Sequence, residues 1–248
     1  MTITQSGQRI RPAPGIEQNG LVPTLEAGDR LSRAEFERRY EAHPEIKKAE
    51  LIEGIVHVPS PTRFEQHGEP HAEIVAWLVT YHAATPGTRV GDGSTVQLDE
   101  KNEPQPDAIL RLEPHFGGTS RVTDDDYLDG APDLVAEVAA SSASCDLHDK
   151  LQAYQRNGVR EYVVLQVYER KVHWLVLREG AYQPLSPDEA GVLKSQLFPG
   201  LWLQPEAIWN NDIATLLAVL QQGLASPEHA ELVARMQTTE QHKHTVLE

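Results

Sequence analysis

Glu137 stands in the middle of Leu134-Val135-Ala136-Glu137-Val138-Ala139-Ala140, an apolar run with Gly130-Ala131-Pro132 before it and a serine cluster after it. Its length and branched residues predict a strand covered on both faces. A carboxylate is costly to desolvate, so this position calls for a cation, hydrogen bonds or a metal. An ion pair with Arg111 is the structural alternative. Asp107 follows Pro106 at the head of another predicted strand, where turn aspartates are common. If the two strands are adjacent, Asp107 and Glu137 offer oxygen ligands to a hard cation, Mg2+ or Mn2+, that keeps waters free for a phosphate.

Lys150 and Tyr154 lie one turn apart on a predicted helix, so both can reach the face that packs over the Glu137 strand. A lysine beside a metal could orient or help deprotonate a water, or stabilise charge on a pentacovalent phosphate. The structural alternative is an Asp146 to Lys150 pair on a solvated face, worth about 0.3–0.5 kcal/mol. Glu50, among Ala49, Leu51 and Ile52, either supports the same site or points outward from a strand. His67 and His71 share i,i+4 spacing, but Pro70 argues against one helix through both. His71 is therefore expected at the edge of the site or as a cap, not as a zinc ligand.

The elements that must position these groups can be read in order. Ser32 as N-cap and Glu35 three residues on open a helix with Phe36 and Tyr40 that ends near His43-Pro44. Residues 49–58 predict a strand or a hairpin turning at Glu53-Gly54, and 71–84 a helix. Residues 89–98 and 106–112 predict two strands joined by a polar turn, and 114–130 a surface loop. After the Glu137 strand, a helix through Leu147, Leu151 and Tyr154 closes at Asn157-Gly158. Strands are expected at 161–167 and 171–177, with a short one near 181–185. An apolar segment follows at 197–203, then helices at 208–224 and 228–241, the last with Ser226 as cap and Pro227 at its first position.

The chain has 248 residues, 40% hydrophobic content and a formal net charge of -15. Such a charge opposes strong nonspecific binding to DNA or RNA but not a nuclease, because a bound cation inverts the local field. A single cysteine, Cys145, rules out an intrachain disulfide and cysteine-based zinc spacing. No GxGxxG, P-loop, HExxH or GxSxG occurs, and no apolar run is long enough for a bilayer. A cytoplasmic protein without membrane contact is expected. Three parts are predicted: a disordered arm over 1–24, a main domain over 25–204 and a helical extension over 205–248, with Leu247-Glu248 an expression remnant.

Taken together, Ala49-Glu50-Leu51-Ile52-Glu53-Gly54, His71 on the next helix, Pro106-Asp107, the Leu134 to Val138 strand with its serines, and Lys150 with Tyr154 before Gly158-Val159-Arg160-Glu161-Tyr162 form one pattern. It resembles the Uma-type restriction endonuclease family of the PD-(D/E)XK nuclease superfamily, over about residues 30–203. The resemblance implies a restriction-endonuclease-like α/β fold, a mixed β-sheet core flanked by helices. It also implies Asp107 and Glu137 as metal ligands; the activity expected from these residues is divalent-metal-dependent hydrolysis of DNA phosphodiester bonds, the metal activating water and Lys150 assisting. The superfamily lysine stands two residues after the glutamate, where this chain has Ala139, so the resemblance implies a migrated lysine, Lys150. Many such nucleases are dimers, and the apolar face of Leu216 to Leu224 could serve a homodimer. The rival expectation is a noncatalytic binding or regulatory module that keeps the fold, favoured by the acidic charge and by Ala139. A weaker third reading takes a nucleotide or a modified base as substrate.

Overall fold

The computed structural model describes residues 21–59 and 61–246. The arm expected over 1–24 lies outside the described residues up to residue 20, as does Leu247-Glu248. Helix α1 (Arg33–Ala42) starts where Ser32 Oγ accepts from the Glu35 amide, as its capping pattern predicts. The hairpin of β1 (Glu50–Ile52) and β2 (Ile55–His57) turns through Glu53 and Gly54, both with positive φ. Phe36, Leu51 and Val56 close a small core beneath it.

A π-helical turn, Phe64–Gly68, runs directly into α2 (Glu69–Ala84). The helical chain is continuous through His67 and His71, contrary to the expectation from Pro70. Pro70 follows directly on the π turn, in which the Glu69 amide reaches back to the Phe64 carbonyl, and the run accommodates the proline at this junction of π and α geometry.

The main sheet contains β3 (Thr88–Asp92), β4 (Ala108–Leu112), β5 (Leu134–Ala139), β6 (Glu161–Gln166), β7 (Lys171–Arg178) and β8 (Ala181–Pro184), in the order β8-β7-β6-β5-β4-β3. Only β5 and β6 pair in parallel. A parallel pair needs a crossover, supplied here by a π turn at Cys145–Asp149 and α3 (Lys150–Asn157), which stops at Gly158 with φ 85. Strand alternation divides the side chains between two layers. Ala108, Leu110, Leu134 and Ala136 join α2 through Ile74, Trp77, Leu78 and Tyr81. Ile109, Val135 and Ala139 join Tyr154 of α3. Glu137, by the same alternation, points toward α3.

Some elements depart from the sequence reading. The strand expected over 89–98 ends at Asp92, Gly93 turns with φ 56, and Val96–Gln97 pairs instead with Leu128–Asp129. The expected loop at 114–130 thus contributes to a small three-stranded sheet, completed by Arg121–Val122. Two-residue strands are too short to leave a period in the sequence. The helix expected over 208–224 breaks at Asn211, φ 57, into α4 (Pro205–Trp209) and α5 (Ile213–Leu224), the latter capped by Asp212 on the Thr215 amide. Helix α6 (Pro227–Val246) begins under Ser226, whose Oγ accepts from the His229 amide. Leu216 and Leu220 are fully buried in the core shared with α2, so the face expected to serve a dimer is covered within the chain. No helix of the described residues is long and apolar enough to cross a membrane.

The segment before β4 fastens β1 to the sheet: Leu51 and Glu103 exchange backbone hydrogen bonds, and the Gln105 amide donates to Glu50 Oε1 at 2.7 Å. The buried Glu103 Oε2 has no hydrogen-bond partner among the described residues. Burial, reinforced by the Glu37 carboxyl group, pushes Glu103 up from 4.5 to about 8. Between those values the folded chain keeps a proton that the unfolded chain has released, so stability falls as pH rises through that window. Glu103→Gln should match the parent near pH 5 and exceed it near pH 8 by about 1–3 kcal/mol, the cost of an unsatisfied buried polar group. Urea titrations at the two pH values measure the difference.

Candidate active site

The register of β4 against β5 pairs Ala108 with Ala136, and one step further brings Asp107 to Glu137. The Val138 amide donates to Asp107 Oδ2 at 2.8 Å, and the Asp107 amide approaches Glu137 Oε2 at 3.4 Å. Each carboxylate is thereby tied to the other strand's backbone. Both are buried, at 7% and 3% exposure.

The partner of Glu137 is Lys150. Its Nζ donates to Glu137 Oε1 at 3.0 Å and to Glu50 Oε1 at 2.9 Å, and lies 3.6 Å from Asp146 Oδ1. Tyr154, one turn along α3, donates its hydroxyl to the same Glu137 oxygen at 2.9 Å. Arg111, the alternative partner, binds the side chain and carbonyl of Ser120 instead. The expected Asp146 to Lys150 pair exists, but it is buried and not on a solvated face. Glu50 points inward, which removes the outward-facing alternative.

Burial works against the charge of Lys150, but Glu137, Glu50 and Asp146 outweigh it and raise its pKa well above the ordinary lysine value. Lys150 is therefore an ammonium and cannot accept a proton. Burial raises the Glu137 carboxyl, helped by Asp146, Asp107 and Glu50 and opposed by Lys150; burial likewise raises Asp146. Asp107 goes the other way: burial disfavours its charge, but His67 and the Val138 amide outweigh burial and lower it.

His71 touches the site only through backbone and rim. Its Nε2 lies 2.9 Å from both the Asp107 carbonyl and an Asp92 carboxylate oxygen, so one N–H can serve both acceptors. His67 is the histidine against the carboxylate, with Nε2 3.4 Å from Asp107 Oδ1 and Nδ1 3.2 Å from the Val138 carbonyl. Sequence reasoning discounted it because of Pro70. Asp146 was also missed as a site residue, although its place four residues before Lys150 was the available signal.

Among the described residues, no three His, Cys, Asp or Glu side chains converge as a ready-made metal cluster. The two that do meet, Asp107 and Glu137, suit a hard cation held by one or two carboxylates and several waters. Three carboxyl groups surround the single Lys150 ammonium, so the site is rich in the oxygen donors that a hard cation takes. The residues fit Mg2+ or Mn2+.

A six-stranded mixed sheet flanked by helices, with acidic residues meeting on neighbouring central strands, defines a restriction-endonuclease-like α/β protein. The family model of Uma2, described as putative restriction endonuclease, matches residues 33–206, and the chain belongs to that family. Among solved structures it is similar to a putative nuclease belonging to DUF820 from Anabaena variabilis, with 14% identity and a TM-score of 0.51. The alignment covers 65% of this chain and 89% of that one, a likeness that shows the fold alone. No curated protein matches.

Lys150→Ala would leave buried carboxylates without their cation and should cost about 3–5 kcal/mol in urea unfolding at neutral pH. Carboxyl groups with raised pKa bind protons more tightly in the folded state, so the loss should shrink as pH falls toward 5. A loss independent of pH would remove the charge explanation.

Proposed function

We propose that the protein is a divalent-metal-dependent endonuclease that hydrolyses phosphodiester bonds in DNA. The observation that carries this reading is the meeting of Asp107 and Glu137 with a buried ammonium bonded to Glu137. Family membership and the likeness to a putative nuclease support it. Asp107 and Glu137 would hold Mg2+ or Mn2+, and the bound cation would supply Lewis acidity at the phosphate and a nucleophilic water. The chain's own groups have distinct parts. Lys150 and Tyr154 both bond Glu137 Oε1 and hold its carboxylate in one rotamer, leaving Oε2 on the Asp107 side. As an ammonium, Lys150 contributes positive charge where negative charge develops, and not proton abstraction. Glu50 and Asp146 hold Lys150, while the His71 ring bonds the Asp107 carbonyl.

One observation favours a second reading, a noncatalytic nucleic-acid or protein binding module. Glu137 and Glu50 turn their oxygens to Lys150, and no preformed metal cluster stands among the described residues. Thermal shift separates the two, because a cation that binds only the folded state raises its melting temperature. Mg2+ or Mn2+ should raise the Tm of the parent and not that of Asp107→Asn.

Cleavage of supercoiled plasmid and single-stranded DNA with Mg2+, Mn2+ or EDTA tests the activity itself. Metal-dependent cutting should fall at least about 10²-fold in Asp107→Asn, Glu137→Gln and Lys150→Met, the scale of a positioned catalytic group. Absence of cutting in every condition, alongside a metal-induced Tm rise, would put the binding module first.

A further inference from the structure

Two aromatic rings lie in solvent at the rim of the candidate site. Phe64 is 75% exposed and Tyr168 is 56% exposed. Scattered surface hydrophobes are ordinary, but a phenylalanine is among the residues most often buried, and neither ring joins a hydrophobic cluster of the described residues. Their location narrows the question. Phe64 opens the π turn that carries His67 to the Asp107 carboxylate. Tyr168 lies two residues past Gln166, the register partner of Ala139, which is itself two residues past Glu137. The two segments are joined through one oxygen: Gln66 Oε1 accepts from the Tyr168 hydroxyl at 2.9 Å and from Arg63 Nη1 at 3.4 Å. The segments that carry the two aromatics therefore meet just past the carboxyl end of β6, with Phe64 two residues before Gln66 and Tyr168 bonded to it. Arg63 adds a guanidinium to this junction, and Lys48 is near enough to act on both His67 and Asp107, in a chain of net charge -15.

We propose that Phe64 and Tyr168 form a stacking platform for the bases of an unpaired DNA strand, with Arg63 as a phosphate contact, so that the preferred substrate is single-stranded or locally opened DNA. The proposal rests on the nuclease reading for its substrate. The physical basis is that a ring face stacks on any base for about 1–3 kcal/mol, whereas bases inside a duplex are already stacked on one another. The same platform explains how an acidic protein could hold a polyanion: base stacking takes over part of what phosphate neutralisation supplies in basic binders.

The full chain is assayed with the cation that supports cleavage, comparing parent, Phe64→Ala, Tyr168→Ala and Phe64→Trp on a single strand and on the blunt duplex of the same sequence. The alanine variants should lower kcat/KM on the single strand about five- to hundredfold, mainly through KM. Duplex cleavage should change less than about twofold, and Phe64→Trp should retain the parent's preference. Both positions are exposed, so the variants should fold as the parent does. Equal losses on both substrates, or no loss on either, would overturn the platform while leaving the nuclease reading intact. If the parent cuts nothing, fluorescence anisotropy of a labelled single strand decides: affinity that depends on Phe64 upholds the platform without the nuclease. No affinity, or affinity indifferent to Phe64 and Tyr168, overturns it. Dissociation of a parent dimer by the alanine variants, with DNA handling unchanged, would assign the rings to a contact between copies of the chain and also overturn it.

Discussion

One ammonium buried among carboxylates organises this protein. Lys150 comes from α3, Glu137 from the centre of the sheet, Glu50 from the β1–β2 hairpin and Asp146 from the crossover turn, so a single charge draws four parts of the chain together. Desolvating such an assembly is expensive, and replacing buried ions by apolar groups is often neutral or stabilising. The cluster is therefore better read as an arrangement of charge than as a source of stability. Three carboxyl groups face that one ammonium, and Glu137 alone among them turns its second oxygen toward Asp107.

A second buried carboxylate shows what a purely structural one looks like. Glu161, at the start of β6, is fully buried and accepts from Ser195 Oγ, the Gln196 and Leu197 amides and Trp174 Nε1. Four neutral donors satisfy it and fix the 195–198 segment against the sheet. These neutral donors hold its carboxyl group down against the rise that burial imposes. Glu137 and Glu161 lie on neighbouring strands and in similarly apolar sequence, yet their partners assign them different work. Burial alone is therefore a poor guide to function, and the chemistry of the partner is a better one.

The helical run Phe64 to Ala84 links the interior of the site to its mouth. His67 and His71 lie with tilted rings 5.5 Å apart between centroids and hold Asp107 from its carboxylate and its carbonyl, respectively. On the preceding turn Gln66 reaches Tyr168 of the β6–β7 turn, and Phe64 is exposed. A π turn is a recurring device at functional sites because its extra residue shifts side chains out of helical register. Here two such turns, before α2 and before α3, lead into the helices that carry His71 and Lys150.

Much of this was legible in the sequence. The apolar run around Glu137 marked a covered strand with an acid in it, the Ser32 and Gly158 caps bounded their helices, and the spacing of Lys150 and Tyr154 put both on the face toward the sheet. These are local properties, set by period, capping and the cost of burying charge. What the sequence left open was partnership. Arg111 and Lys150 were both candidates for Glu137, and only the register of β4 on β5 sends Arg111 to Ser120 while the crossover delivers Lys150. Whether Pro70 broke a helix depended on the π turn before it, and whether α5 was free depended on α2 covering Leu216 and Leu220. Pairings between residues far apart in the chain are decided by which surfaces can be buried together, a property of the whole fold that no local window contains.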